Sequence, residues 1–196
     1  APPVKDMLDG LAVQCGIFNE YDNEGAPMGK GLKYQGQHDL RRGDLLGIYV
    51  APTLRLGATH DLLRQADPLV GEMAVPIRHY VRDAAGFNAG LMLINEGPVP
   101  NVVMIPVDID RAEEPLFTVI AYFAAARIQH GDALHADYGD TYEDVRKARG
   151  YTRPTLPENA PYTLHDHTAE DLAAKVRAAF STTQLDEFAA TAGVQD

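Results

Sequence analysis

The chain has 196 residues, is 45% hydrophobic, and sets 28 acidic side chains against 17 basic ones for a formal net charge of −11. That composition suffices for one ordinary domain with a buried core. The acidic balance argues against binding along phosphate backbones, which needs clustered Lys and Arg, so no direct nucleic-acid binding is expected; a basic partner is easier to accommodate, and keeping the protein soluble is an equal reading of the charge. No apolar run approaches the roughly 20 residues of a membrane-spanning helix, and Ala1-Pro2-Pro3-Val4-Lys5-Asp6 lacks the order of a signal peptide. The expectation is a soluble protein without membrane association, and its start without Met suggests an excised or processed chain.

Cys15 is the only cysteine, so neither an internal disulfide nor a thiolate zinc cluster is expected. Its apolar surroundings, Leu11 to Phe18, suit a small buried residue better than a nucleophile. From Leu11 to Tyr138 short strand-like runs separated by Gly and Pro dominate, notably residues 45–50, 102–107 and 116–123. Their spacing predicts small antiparallel sheets rather than a doubly wound parallel sheet, with one short helix at residues 59–66.

Gln129-His130-Gly131-Asp132 reads as a β-turn entering a strand. After Tyr142 a charged stretch, residues 143–149, leads to a proline-rich linker over 153–161. The tail then turns helical: Thr168 and Asp171 form a capping-box pattern, and Leu172, Val176, Ala179 and Phe180 share one face. Leu185 and Phe188 predict a further short helix, stopped near Gly193. His165 and His167 stand two apart, but zinc needs further ligands and none is patterned nearby, so no metal is expected. No P-loop, nucleophile elbow or His-Glu-x-x-His helix is present.

Three segments carry a resemblance. Gly29-Lys30-Gly31-Leu32 leads to Arg42-Gly43-Asp44 and a strand ending in Tyr49. Ile94-Asn95-Glu96-Gly97-Pro98-Val99-Pro100-Asn101 follows. The third is Ile128-Gln129-His130-Gly131-Asp132-Ala133-Leu134-His135-Ala136-Asp137-Tyr138-Gly139. Each has a plain structural reading as well: a hairpin, a Gly/Pro/Asn turn, and a turn whose Tyr138 packs in a core. In this order, however, they resemble the SET-domain family of protein-lysine methyltransferases. The second segment is similar to the family's Ile-Asn-His-Ser-Cys-x-Pro-Asn, with Glu96, Gly97 and Pro98 replacing His, Ser and Cys. The third resembles Ile-x-x-Gly-Glu-Glu-Leu-x-x-Asp-Tyr-Gly. Weaker echoes lie at Tyr80-Val81-Arg82-Asp83-Ala84 and Gly86-Phe87-Asn88, and the Arg that usually precedes Phe-Ile-Asn is missing beside Leu91-Met92-Leu93.

The resemblance, strongest over residues 18–142, implies a mainly β fold of small antiparallel sheets with a C-terminal pseudoknot. It divides the chain into a SET domain at 1–150 and a linker with helical tail at 151–196, which would close the site in place of the family's cysteine-rich zinc module. It implies S-adenosylmethionine as cofactor and a lysine-containing basic protein or peptide, such as a histone, as substrate. Tyr138 matches the catalytic tyrosine, and Tyr49 a tyrosine lining the lysine channel or, equally, a core residue. Gly29, Lys30, Gly31, Asn95, Glu96, Asn101 and Tyr138 fall where the family contacts its cofactor, Asn101 also serving to fix its loop. Ala136 occupies the position that influences how many methyl groups are added. A second reading, a SET-like protein-binding domain without catalysis, rests on Glu96, the missing Arg and the unusual tail. The absence of Trp and the many alanines suggest a GC-rich bacterial genome, compatible with a cytoplasmic protein or with a secreted effector that reaches host chromatin.

Overall fold

The β-branched and aromatic runs upstream of Tyr138 form strands, as their propensity favours. The computed structural model describes residues 10–49, 53–55, 74–77, 80–83, 90–97, 99–111, 114–139, 142–150, 152–153, 164–191 and 194–195. The strands are β1 (Cys15–Tyr21), β2 (Pro27–Tyr34), β3 (Leu45–Ile48), β4 (Thr53–Arg55), β5 (Ala74–Ile77), β6 (Tyr80–Asp83), β7 (Asn95–Glu96), β8 (Val102–Arg111), β9 (Glu114–Ala124), β10 (His135–Ala136) and β11 (Val194–Gln195). The helices are α1 (Glu143–Arg149), α2 (Ala169–Ala179) and α3 (Thr182–Thr191), with a 3-10 turn at Gly90–Leu93. The expected helix at 59–66, the Gly86-Phe87-Asn88 echo, Pro98, the prolines of the linker and the helix stop at Gly193 lie outside the described residues.

β1 and β2 form an antiparallel hairpin, a second sheet runs β3-β9-β8-β10-β7, and a third runs β11-β4-β6-β5. β8 and β9 are antiparallel from Val102 opposite Ala124 to Arg111 opposite Glu114. The two-residue β10 enters between β7 and β8, parallel to both, with Ala136 facing Glu96 on one side and Val102 on the other. The segment just before Tyr138 is thereby stitched into the middle of a sheet.

Two turns of the same chemistry lead into this sheet. In Arg41-Arg42-Gly43-Asp44 and in Gln129-His130-Gly131-Asp132 the Asp amide donates to the first residue's carbonyl, at 2.9 and 3.1 Å. Each Asp carboxylate accepts the first residue's amide in return, at 2.7 and 2.8 Å. The third position has φ of 90° and 89°, a left-handed conformation that glycine adopts without a Cβ clash.

Side chains along β8 and β9 alternate between two cores. Val102, Met104, Ile120 and Tyr122 face a core shared with Tyr49, Ile94, Leu134, Ala136 and Tyr138. Val103, Ile105, Val119, Ala121 and Phe123 face the other, which the tail completes with Leu164, Leu172, Ala173, Val176, Phe180 and Leu185. Cys15 is buried in the first core, where burial pushes its thiol up to about 12; the expected packing role suits a group held so firmly as the thiol.

The tail is built as its pattern predicts. Thr168 Oγ1 accepts from the Asp171 amide at 3.1 Å and the Asp171 carboxylate accepts from the Thr168 amide at 3.2 Å, a complete capping box. Ser181 and Gln184 repeat the device at α3. Ala179 departs from the expected buried stripe: it is exposed, and Ala173 takes a buried place instead. The tail is fastened to the 41–44 turn by Arg42 paired with Asp166 at 2.5 Å and by Lys175 Nζ donating to the Gly43 carbonyl at 2.6 Å. The apolar faces of α2 and α3 cover the side of the sheet opposite Tyr138, because the second apolar face of β8 and β9 would otherwise stand in water.

Candidate active site

The three motif segments meet at residues 94–96. Tyr138 follows β10, half-buried, and its hydroxyl donates to the Ile94 carbonyl at 2.5 Å. Its ring stands edge-on to Tyr142, with centroids 4.7 Å apart. Asn95, one residue on from Ile94, reaches the opposite way: Nδ2 donates to the Lys30 carbonyl at 3.2 Å and to Glu20 Oε2 at 2.6 Å. The Gly29-Lys30-Gly31 strand, the Asn95 loop and Tyr138 thus form one constellation although about a hundred residues separate its ends.

Glu20 is central to it and was not foreseen from the sequence. Its buried carboxylate also pairs with Nε2 of the half-buried His135. Gly31 makes room for it, since a Cβ there would stand 2.3 Å from Glu20 Oε2. The space that a Gly-x-Gly strand is expected to leave for a ligand is, at Gly31, taken by this carboxylate. At Gly29 a Cβ would meet nothing within 4 Å. Lys30 itself points its ammonium to Asn19 Oδ1 at 2.6 Å. Gly97, standing where the family has Ser, is filled in the same way: a Cβ would lie 2.5 Å from the His135 ring.

Glu96 is buried and faces Arg146 on α1, whose side chain is fully buried. Arg146 Nε donates to Glu96 Oε2 at 2.9 Å and Nη2 to Oε1 at 2.5 Å. The Glu96 side chain, expected at the cofactor, is therefore engaged with Arg146 and with the Tyr138 amide at 3.2 Å. Asn101 is a loop fixer: Nδ2 donates to the Ala133 carbonyl at 2.9 Å and Oδ1 accepts the His135 amide at 2.9 Å. Tyr49 is buried in the same core as Tyr138 and stacks on Tyr122 with centroids 6.1 Å apart. Ala136 is buried between β7 and β8.

Asp137, beside Tyr138, is gripped by Arg153, with Nε to Oδ1 at 3.0 Å and a second bond from Nη2 to Oδ2. Burial alone would raise its carboxyl, but the Arg153 hydrogen bond, the Gly139 amide and the charges of Arg153 and Arg146 outweigh it and hold the carboxyl below the usual range. A folded-state pKa below the unfolded value of about 3.9 adds stability above that value, and the contribution is lost as pH falls through the folded one. Asp137→Asn should therefore flatten the acid limb of a plot of urea midpoint against pH. An acid limb identical to that of the unchanged protein would count against the pairing.

Glu20, Asp137, Arg146 and Arg153 are the residues that sequence reasoning missed. The one usable signal was Glu96 itself, because a carboxylate placed in a buried motif must find a cation. Which of the arginines in the charged stretch answers it depends on the helical phase of α1.

These features describe a mainly β protein of small curled sheets with few short helices. Among solved structures the chain is similar to a histone lysine methyltransferase determined to explain product specificity in that class, with a TM-score of 0.50 and 19% identity over 66% of this chain and 52% of that one. The chain spans about half the length of the structure it matches, and at this identity the likeness is one of fold. No protein-family model and no curated protein matches the chain. No described helix is long and apolar enough to cross a membrane.

Proposed function

We propose that this chain is an S-adenosylmethionine-dependent protein-lysine N-methyltransferase of the SET family, acting on a lysine of a basic protein or peptide such as a histone. The observation that carries this reading is the meeting of Tyr138, Asn95 and the Gly29-Lys30-Gly31 strand at residues 94–96. The passage of β10 between β7 and β8 supports the knotted topology of that family. The SET unit occupies 1–150; within 151–196 the helices α2 and α3 buttress the far face of its main sheet, while Arg153 grips Asp137 beside Tyr138.

The residues suit a cationic cofactor. Asn95 gives both its amide hydrogens to Glu20 and Lys30, which leaves Oδ1 as an acceptor without a partner among the described residues. The Glu20 carboxylate adds negative charge beside it, and Gly29 faces open space. S-adenosylmethionine would supply an activated methyl group on a sulfonium.

The chain's own contribution is positioning. A carbonyl only accepts hydrogen bonds, so the Tyr138 hydrogen lies toward Ile94 and fixes the phenol oxygen, the atom that would orient the substrate amine. Tyr49 and Tyr122 wall the same core with apolar rings. A desolvated approach disfavours the ammonium form of lysine, whose reference pKa is about 10.4, and so favours the neutral amine that attacks. Holding that amine about 3–3.5 Å from the methyl carbon removes much of the entropic part of the barrier. The net charge of −11 favours a basic substrate.

Titration calorimetry with S-adenosylmethionine tests the reading. Binding is expected, and Asn95→Ala should weaken it by about 1–3 kcal/mol, because Lys30 and Glu20 then lose a donor and the ligand an acceptor. Absence of heat at millimolar cofactor would remove the proposal.

A further inference from the structure

The Glu96–Arg146 pair encloses the backbone of Tyr138. Glu96 Oε1 accepts the Tyr138 amide at 3.2 Å. Arg146 Nη2 donates to Glu96 Oε1 and also to the carbonyl of Gly139, the next residue, at 2.9 Å. Arg146 Nη1 reaches Glu143 Oε2 at 3.3 Å, and its guanidinium carbon lies 5.6 Å from the centre of the Tyr142 ring. That ring in turn stands against Tyr138. The guanidinium fork therefore touches Glu96 and Gly139 and borders the Tyr142 ring, and it does so with a side chain at 0% exposure.

The geometry assigns a role to this arrangement. Tyr138 is held at two points, its amide by Glu96 and its hydroxyl by the Ile94 carbonyl, and the two acceptors lie two residues apart on one short segment. Glu96 can serve as a buried acceptor only while a cation balances it. A planar fork is the group that can bind both carboxylate oxygens and still donate to Gly139. Lysine offers a point charge and fails at the geometry.

We propose that Glu96 and Arg146 are positioning residues for Tyr138, acting through its backbone rather than on cofactor or substrate. Glu96 in place of the family's His is then one half of a substituted anchor, with Arg146 as the other half. The proposal rests on the methyltransferase reading for its catalytic consequence, while the anchoring of Tyr138 is independent of it.

The test removes the pair without leaving a lone charge. In the double variant Glu96→Leu/Arg146→Met both ions are replaced by apolar side chains of similar size, a change that buried ion pairs often tolerate. Three readouts are taken: cofactor affinity by calorimetry, kcat and KM for transfer, and the tyrosine 13Cζ NMR signal of Tyr138, assigned by its loss in Tyr138→Phe. The expected result is unchanged cofactor affinity, a kcat lower by about tenfold or more at unchanged KM, and a shifted or broadened Tyr138 signal. A folded double variant with an unmoved Tyr138 signal and unchanged kcat would overturn the proposal. Should the double variant fail to fold, Arg146→Lys keeps the charge and loses the fork, and the same readouts decide in the same directions. If the unchanged protein neither binds cofactor nor transfers methyl groups, the methyltransferase reading falls, and the NMR signal alone decides whether the pair positions Tyr138.

Discussion

Tyr138→Phe is expected to lower methyl transfer by about 10²-fold or more, the low end of what a positioned polar group contributes, while cofactor affinity stays the same. The change deletes one oxygen and leaves the ring that stands against Tyr142. It takes from the Ile94 carbonyl a donor at 2.5 Å. A single lost hydrogen bond of this kind costs about 1 kcal/mol, a small change in melting temperature for a chain of this size. Rate and stability therefore move by very different amounts if the hydroxyl acts on the amine. If Tyr138 only packs, stability falls by that same small amount and the rate is unaltered, so both measured on one preparation separate the readings.

The largest stability effect is expected at Glu96. Glu96→Ala leaves Arg146 charged and fully buried, with the bidentate Glu96 carboxylate gone and the longer contact to half-exposed Glu143 remaining, which should cost about 3 kcal/mol or more. That is a large part of the roughly 5–15 kcal/mol that holds a domain together. The urea midpoint should drop sharply with an unchanged slope, as for a two-state domain that loses stability without changing its exposed surface. A loss under about 1 kcal/mol is what a solvated surface pair would give, and it would contradict the burial of this one. The reverse variant, Arg146→Ala, leaves Glu96 as the lone ion. It should be similarly severe at neutral pH and partly relieved in acid, where the carboxylate can take up a proton.

Much of the fold was legible in the sequence for local reasons. Strands β3, β8 and β9 follow short apolar runs, the 129–132 turn follows Gly131 and Asp132, and α2 follows Thr168 and Asp171. The placing of the tail was not, because an amphipathic stripe states that a face must be covered and is silent on which face covers it. Only the alternation of β8 and β9 between two cores explains why α2 lies away from Tyr138. At the candidate site, Tyr138, Asn95 and Lys30 come together as the motif order implies. Glu20 and Arg146 are invisible to a linear reading: one hides in an ordinary hairpin and the other in a run of charges that looks solvated. Both are long-range partners, 75 and 50 residues from Asn95 and Glu96, and no periodicity encodes such a pairing.

The most direct test of the central claim is transfer of labelled methyl from S-adenosylmethionine to a mixture of core histones and ribosomal proteins, with the modified residue located by mass spectrometry and Tyr138→Phe run in parallel. The account predicts label on lysine of a basic protein with the unchanged chain, and label reduced by about 10²-fold with Tyr138→Phe. Equal labelling by both proteins would contradict the role of Tyr138, and no labelling by a chain shown to be saturated with cofactor would contradict methyl transfer to these basic substrates.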